Sequence, residues 1–405
     1  MSVDVAASGA ALASLRLGRD VHGSFIDETI AIVARQPRDI VSFAVGAPAA
    51  PALRLVGASE LARAVLDAED VGPLGYGITE GDPELRALIA AAARRDGIPA
   101  GAEDVIVTAG ALQAIDLVCR VFIRPGDTVV VESPAFANAL SAFRNAGARL
   151  LAARVDDEGL DVAEAERILE RTGARPRAFF VVPNFQNPSG NTLSLRRRER
   201  LLALAERHGA VVIEDDPYGA LRFRGEAVPP LGALGGAPVI SIGTFSKVFV
   251  PGLRIGWAIA DADTIRSMAA AKQALDSCTS TLGQRLAIAF EERLDEHVRA
   301  LRAIYAEKQA AALGALSARF AGTGVRWNEP EGGFYLWVRL PDEVRARDLF
   351  EIALEEGVAF VPGDAFSLDG AHACALRFSY SSPDPAGIDL GVARLRLAFD
   401  RIQVR

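Results

Sequence analysis

The pattern of apolar and polar residues alternates between helical and strand periods along most of the chain. From about residue 58, it predicts helices at Pro83–Arg95 and Leu112–Phe122 and strands at Val105–Thr108 and Thr128–Glu132. The alternation continues with predicted helices Val162–Arg171 and Leu195–His208, and with predicted strands Ala178–Val182, Val211–Glu214 and Val239–Gly243. Such an alternation is typical of an α/β fold.

Several of these strands are apolar throughout, which indicates that helices cover both faces of a mainly parallel central sheet. After about residue 285 the pattern changes to long helices rich in Ala, Leu and Arg, followed by a strand-like segment, Gly333–Arg339. We therefore predict a flexible tail or arm over 1–22 and a large domain over 58–285. A smaller α+β domain is predicted from 23–57 and 286–405.

Composition excludes several classes of protein. Half of the 405 residues are apolar, 24% are charged and the net charge is -8, so the chain is expected to be globular, with no nucleic-acid partner. Its apolar runs are too short to cross a membrane, and no basic region precedes the small apolar residues at the start. These features predict a cytoplasmic protein. Three widely spaced cysteines and four histidines without ligand spacing predict reduced thiols and no metal site.

Lysine is rare in this chain. Only Lys247, Lys272 and Lys308 are lysines among 44 basic residues, so arginine supplies nearly all of the positive charge. A lysine amine can lose its proton near neutral pH and condense with a carbonyl, which arginine cannot do. Lys272 and Lys308 fall on predicted helices and are expected to be solvated charges, whereas Lys247 follows a predicted strand.

The carboxyl ends of the predicted strands carry polar side chains, where α/β sheets bind ligands. The helix starting after Ala109 could hold a phosphate, and the amide-rich turn Pro183–Gly190 could hydrogen-bond a planar polar ligand. The carboxylates around Asp215 require a cationic partner. Hydroxyls, an amine and a guanidinium between Thr244 and Arg254 suit a phosphate monoester that carries a carbonyl on its ring.

With these polar groups at the ends of successive strands, the chain resembles pyridoxal-phosphate enzymes of fold type I. It is most similar to the class I/II aminotransferase family, in the branch that holds 2-aminoadipate and related amino-acid transaminases. The resemblance runs from about Ser24 to the end of the chain. It implies a pyridoxal 5'-phosphate cofactor and an amino group moving between an α-amino acid and a 2-oxo acid in two half-reactions.

The resemblance also implies residue roles. Lys247 forms a Schiff base with the cofactor and moves a proton to and from the substrate's α-carbon. Asp215 keeps the pyridine nitrogen protonated, and Tyr218 and Asn187 hydrogen-bond the phenolic oxygen. The remaining cofactor positions are Gly110, Ala111 and Leu112, with Thr244, Ser246 and Arg254, at the phosphate, Phe136 stacked on the ring, and Tyr76 reaching the neighbouring subunit's phosphate. The last role implies a homodimer with shared active sites.

For the substrate, the resemblance implies that Arg377 binds the α-carboxylate, with Asn187, Gly46, Ser24 and Asp27 nearby. Ala111 stands where relatives often have a hydroxyl residue, and Phe136 lacks a phenol that many relatives present. Asp27 occupies a place where the aminoadipate branch carries an arginine. Because a carboxylate repels an acidic side chain, this difference disfavours 2-aminoadipate and glutamate as substrates.

Two alternatives to transamination stay open. The same residues support elimination, replacement, decarboxylation or cyclisation in a specialised biosynthetic pathway, because substrate orientation decides which bond breaks. A ligand-sensing transcription regulator with an aminotransferase-like domain is the other. It would carry an added winged helix, for which about 25 residues before the resemblance leave too little chain.

Overall fold

A computed structural model describes residues 23, 29, 31–33, 35, 39–67 and 71–403. The predicted tail over 1–22 lies outside the described residues. The strands are β1 Val41–Ser42, β2 Val105–Thr108, β3 Thr128–Ser133, β4 Arg149–Asp156, β5 Gly159–Leu160, β6 Pro176–Val181, β7 Val211–Asp215, β8 Val239–Thr244, β9 Gly256–Ile259, β10 Arg326–Trp327, β11 Tyr335–Arg339, β12 Val358–Ala359, β13 Val361–Pro362 and β14 Ala375–Ser379. The α-helices are Ala50–Arg54, Ala58–Leu66, Pro83–Arg95, Ala111–Phe122, Ala137–Asn145, Val162–Thr172, Leu195–His208, Ala262–Gln273, Thr281–Phe320, Ala346–Glu355 and Pro385–Gln403.

The large sheet has eight strands in the order β2-β9-β8-β7-β6-β3-β4-β5. Its centre, β4-β3-β6-β7-β8, is parallel throughout, whereas β9 runs antiparallel to β8 and β2, and β5 runs antiparallel to β4. The prediction of a mainly parallel sheet is therefore confirmed. The parallel order brings the carboxyl ends of β6, β7 and β8 to one edge.

Helices cover both faces of this sheet. Along β6, Phe179 and Val181 pack with helices Val162–Thr172 and Leu195–His208, while Phe180 packs on the opposite side with helix Ala111–Phe122. Burial on both faces accounts for the continuous apolar runs that predicted these strands. Burying such runs is the main favourable term in folding, at about 25 cal/mol per Å² of apolar surface.

A smaller antiparallel sheet, β10-β11-β14-β13, lies at the other end of the chain, and β1 pairs in parallel with β12. These pairings confirm the prediction of a second α+β unit. Thr281–Phe320 is a single helix of 40 residues that crosses the predicted boundary at 286 and packs against helix Pro385–Gln403. The exact domain boundaries stay a prediction.

The expectation that Lys272 and Lys308 are solvated charges is wrong. Lys272 is fully buried and its ammonium lies 2.5 Å from Asp276. Lys308 is 4% exposed and donates to the carbonyls of Ser381 and Pro383. Both helices are covered by neighbouring elements on the face that carries the lysine, so each ammonium needs partners within the protein.

In the described part of the chain, no helix combines the length and apolar character needed to cross a bilayer. Nor does this part contain a cluster of three or more His, Cys, Asp or Glu side chains suited to a metal ion. Cys119 is buried in the core, and Cys278 and Cys374 are partly exposed; all three are free thiols.

Candidate active site

A cavity of about 320 Å³ opens at the carboxyl edge of the large sheet. It is lined by twelve of the residues predicted from the sequence: Gly46, Ala111, Leu112, Phe136, Asn187, Asp215, Tyr218, Thr244, Ser246, Lys247, Arg254 and Arg377. A larger cavity of about 620 Å³, around Asn191 and Trp327, lacks such a set of reactive side chains. The smaller cavity is therefore the candidate active site.

Four predicted residues are not among the described residues that line the cavity. Gly110 directly precedes Ala111, which lines the cavity. Tyr76 does not line the cavity and is 96% exposed. Ser24 and Asp27 lie outside the described residues, so their predicted substrate contacts stay predictions.

Lys247 places a half-buried amine in the cavity. It ends a single 3-10 turn, Phe245–Lys247, directly after β8, and its Nζ donates to the carbonyl of Gly46 at 2.8 Å. Burial lowers the pKa of Lys247 to about 8, and the positive charges of Arg377 and Arg254 act in the same direction. An amine with this pKa is partly unprotonated near neutral pH and can act as nucleophile or base.

Asp215 is the last residue of β7 and points an unpartnered carboxyl oxygen into the site. It is 2% exposed, and its Oδ1 is buried without a hydrogen-bond partner within the described structure. Burial raises the pKa of Asp215 to about 7, with the neighbouring Asp216 adding to the rise and Lys247 opposing it. A buried carboxylate in this state calls for a cation. A protonated pyridine nitrogen has the required charge and donor.

The two acidic neighbours of Asp215 are already satisfied. Glu214 accepts from the backbone N–H of Leu231 at 2.8 Å and from the hydroxyl of Ser241 at 2.9 Å. Asp216 accepts from the Asn184 amide at 2.6 Å and from a backbone N–H in the following turn. Of the three successive carboxylates, Asp215 is therefore the one left to bind a ligand.

Hydroxyl, guanidinium and backbone N–H groups converge at the other end of the cavity. The Thr244 hydroxyl accepts from the Ser246 backbone N–H at 3.0 Å, and an Arg254 guanidinium nitrogen donates to the Ser246 hydroxyl at 3.2 Å. Helix Ala111–Phe122 begins beside them, and a Cβ at Gly110 would overlap the Arg254 guanidinium. These donors suit the phosphate of pyridoxal phosphate. The residues present thus fit this cofactor at both ends.

Arg377 lies on β14 and is 2% exposed. One of its Nη atoms donates to the Asn187 amide oxygen at 2.8 Å, and the other donates to the carbonyl of Ala44. Its Nε is buried without a partner among the described residues. A buried guanidinium with a free donor suits a carboxylate ligand.

The amide-rich turn that carries Asn187 is anchored from behind by Arg198. This arginine is fully buried and donates to the carbonyls of Leu193, Pro229 and Pro183 and to the side-chain oxygen of Asn184. We predict that Arg198→Lys lowers the free energy of unfolding by about 2–4 kcal/mol, since one ammonium cannot reach this set of acceptors. Denaturant unfolding measures the change.

Arg200→Lys is the matched control for this variant. Arg200 lies on the same helix, is half-exposed and pairs with Glu166 at 3.1 Å. Its replacement is expected to change stability by less than about 0.5 kcal/mol. Equal losses in the two variants would contradict the anchoring role of Arg198.

The sequence analysis missed Tyr335, Val45, Ala47 and Asn138, which also line the cavity. Tyr335 starts β11, in a segment that the pattern of apolar residues marks only as core, and it is 2% exposed. The two glycines just before Tyr335, at 332–333, are a local sign that this segment packs closely against another part of the chain. In the structure, a Cβ at either position would collide with Phe185.

Comparisons with known proteins agree with this site. The family model for aminotransferase class I and II matches residues 38–395. Aromatic-amino-acid aminotransferase 1 of Thermococcus litoralis is 38% identical over 382 residues, which cover 93% of this chain and 91% of that protein. The α-aminoadipate aminotransferase of Thermus thermophilus, solved with N-(5'-phosphopyridoxyl)-L-leucine, is 38% identical and superposes with a TM-score of 0.87 over 95% of this chain and 96% of that one. The kynurenine aminotransferase of Pyrococcus horikoshii is 35% identical, with a TM-score of 0.90 over 98% of this chain and 99% of that one.

Proposed function

The chain belongs to the class I and II aminotransferases and is a pyridoxal-phosphate-dependent transferase, and we propose that the cavity around Lys247 and Asp215 carries out its amino transfer. The observation that carries this assignment is the buried, unpartnered Oδ1 of Asp215 in the same cavity as the half-buried amine of Lys247. Pyridoxal phosphate, when bound, supplies the carbonyl that condenses with amines and the ring that takes up electrons from the substrate's α-carbon.

The protein's own residues hold and orient the reactants. Thr244, Ser246 and Arg254 bind the phosphate together with the N–H groups at the start of helix Ala111–Phe122. Asp215 would pair with the protonated ring nitrogen, and Phe136, which lines the same cavity, would contact the ring. Tyr218 and Asn187 bind the phenolic oxygen. Most of these side chains are buried, which excludes water and strengthens each charged contact, whereas Arg254 is exposed in the single chain.

Lys247 accepts the proton of the substrate's α-carbon. Its Nζ would hold the cofactor at the cofactor's carbonyl carbon, and as a free amine it would serve as the base of the site. That amine then accepts the proton from the substrate's α-carbon, because burial and nearby cations hold its pKa at about 8. The Gly46 carbonyl, 2.8 Å from Nζ, keeps the amine at the floor of the cavity.

The remaining cavity wall favours an amino acid with an aromatic or other apolar side chain. Val45, Ala47, Leu112 and Tyr335 line the cavity beside Arg377. One relative is named for aromatic amino acids, another for kynurenine, and a third was solved with N-(5'-phosphopyridoxyl)-L-leucine, and these support the same preference. A donor with an acidic side chain is the second candidate, from the α-aminoadipate relative.

We also propose a homodimer in which Tyr76 reaches the phosphate of the neighbouring subunit. Tyr76 is 96% exposed in the single chain and lies in a segment, 75–77, without helix or strand. An exposed tyrosine of this kind is typical of an interface. A cytoplasmic location and a biosynthetic role stay predictions.

Titration of the holoenzyme with single amino acids tests the reaction and the donor. We expect loss of the visible absorption of the bound cofactor with one equivalent of 2-oxo acid, at lower concentrations of phenylalanine or leucine than of glutamate or 2-aminoadipate. Release of ammonia or carbon dioxide instead would show that the site breaks a different bond. A stronger response to the acidic donors would overturn the proposed substrate class.

Arg377→Lys tests the carboxylate contact. We predict that kcat/KM for the preferred amino acid falls by about 10²-fold, mainly through KM, because a single ammonium replaces a two-pronged guanidinium. The control is an amine that has the same side chain but lacks the carboxylate. Its reaction should be slow in both proteins and nearly unchanged by the substitution, whereas an equal loss for both substrates would indicate damage to the fold.

A further inference from the structure

Tyr335 places a second phenol in the active site, directly against Tyr218. Their hydroxyl oxygens are 3.0 Å apart, and the side chains are only 2% and 3% exposed. The rings meet edge to face, with centroids 5.6 Å apart. The pair is thus shielded from water, so each hydroxyl depends on protein or ligand groups for its hydrogen bonds.

The loop at Gly46 is shaped around the Tyr335 hydroxyl. A Cβ at position 46 would overlap that hydroxyl, so the space, rather than a special backbone angle, requires glycine there. The carbonyl of the same Gly46 accepts from Lys247 Nζ at 2.8 Å. Tyr335 and Lys247 therefore both pack against the same residue, Gly46.

The ring of Tyr335 also supports Arg377. The guanidinium carbon of Arg377 lies 4.7 Å from the ring centroid of Tyr335. The two side chains are diagonal neighbours on paired strands, because Tyr335 lies opposite Ser379 and Arg377 lies opposite Trp337. Stacking of a guanidinium on an aromatic ring fixes its plane and adds a favourable charge–ring interaction.

The number of protons that each hydroxyl can donate sets the direction of the hydrogen bond between Tyr335 and Tyr218. A tyrosine hydroxyl has one proton to donate and two lone pairs that accept. When Tyr218 donates its proton to the phenolic oxygen of the cofactor, it accepts from Tyr335. We propose that Tyr335 is a positioning residue, whose hydroxyl donates to Tyr218 and directs the Tyr218 proton onto the cofactor while its ring carries Arg377. This inference rests on the proposed function.

The expected effect is electrostatic. A hydroxyl that receives a hydrogen bond is a stronger donor in turn, so Tyr335 helps Tyr218 to stabilise negative charge on the cofactor oxygen. That charge stabilisation lowers the pH at which the cofactor-linked nitrogen of Lys247 loses its proton. Tyr335→Phe removes the hydroxyl and keeps the ring, so Arg377 retains its support.

The test is a pH titration of the visible absorption of the holoenzyme. We expect the midpoint to rise by about 0.5 pH unit in Tyr335→Phe and by about 1 unit or more in Tyr218→Phe. The double variant should match Tyr218→Phe alone, because Tyr335 acts through Tyr218. Shifts that add fully would overturn the proposed direction of the hydrogen bond, and an unchanged midpoint in Tyr335→Phe would overturn the proposal.

Tyr305→Phe is the matched control. Tyr305 is also fully buried and contacts the Phe334 ring, but it does not line the cavity. Within the described part of the chain, its hydroxyl meets only the backbone N–H of Ala49, at 3.4 Å. Its loss should leave the midpoint unchanged. If Tyr218→Phe itself fails to move the midpoint, the assignment of Tyr218 in the proposed function is wrong. A shift in Tyr218→Phe without one in Tyr335→Phe rejects the further inference alone.

Discussion

Replacement of Lys247 by arginine is expected to abolish covalent attachment of the cofactor and to lower the rate of amino transfer by about 10⁴-fold. Arginine keeps the positive charge in the cavity, but its guanidinium neither condenses with a carbonyl nor gives up a proton. Pyridoxal phosphate should still bind non-covalently through the groups around Arg254. Single-turnover kinetics and borohydride reduction followed by peptide mapping measure the two losses.

The scarcity of lysine makes the mapping decisive. Lys272 is paired with Asp276, and Lys308 is held by backbone carbonyls, so neither is available to the cofactor. In the unmodified chain the reduced label should appear only in the peptide that contains Lys247, and it should disappear in Lys247→Arg. Label on either of the other lysines, or its persistence in the variant, would contradict the assignment.

The central part of the site could be predicted from the sequence for a simple structural reason. Asp215 ends one short apolar strand and Lys247 follows the next, and neighbouring parallel strands bring such positions to one edge of a sheet. The same argument predicts that the turn that carries Asn187 lies at this edge. The strands themselves were recognised because burial on both faces leaves an uninterrupted apolar run.

The missed elements lack that signal. β4, Arg149–Asp156, has exposed and partly exposed positions along most of its length, and β9, Gly256–Ile259, is only four residues long and begins with glycine. Their apolar runs, Leu150–Ala153 and Trp257–Ala260, are short and contain alanine, so the pattern does not distinguish a strand from a helical segment. The presence and antiparallel direction of β9 could therefore not be predicted from its own sequence.

Contacts between distant segments were beyond sequence reasoning. Tyr335 reaches the cavity because the smaller sheet packs against the loop at Gly46, and this packing depends on the whole fold. The burial of Lys308 likewise depends on the carbonyls of residues 381–383, which a helical pattern around residue 308 cannot reveal. A local pattern predicts which face of an element is apolar, but not which polar groups will meet a charge.

Asp215→Asn is expected to change turnover and stability in opposite directions. Asparagine has no charge to hold the proton on the pyridine nitrogen, so we predict that turnover of the holoenzyme falls by about 10²–10³-fold, while the cofactor stays attached to Lys247. Asp216→Asn is the control, because both carboxyl oxygens of Asp216 already have protein partners. It should lower turnover by less than about tenfold. Equal losses in the two variants would contradict the specific role of Asp215.

Without the cofactor, the same variant should be the more stable protein at alkaline pH. The pKa of Asp215 in the folded chain is raised to about 7, above its ordinary 3.8, so folding favours the protonated carboxyl. The stability that this preference contributes is complete below pH 3.8 and is lost as the pH rises through about 7. Asparagine cannot ionise, so thermal unfolding of cofactor-free Asp215→Asn at pH 8 should occur a few degrees above that of the unmodified chain. The difference should vanish near pH 4. A less stable variant at pH 8 would mean that the free carboxylate has a partner in the folded chain, and the argument for a cationic ligand would fail with it.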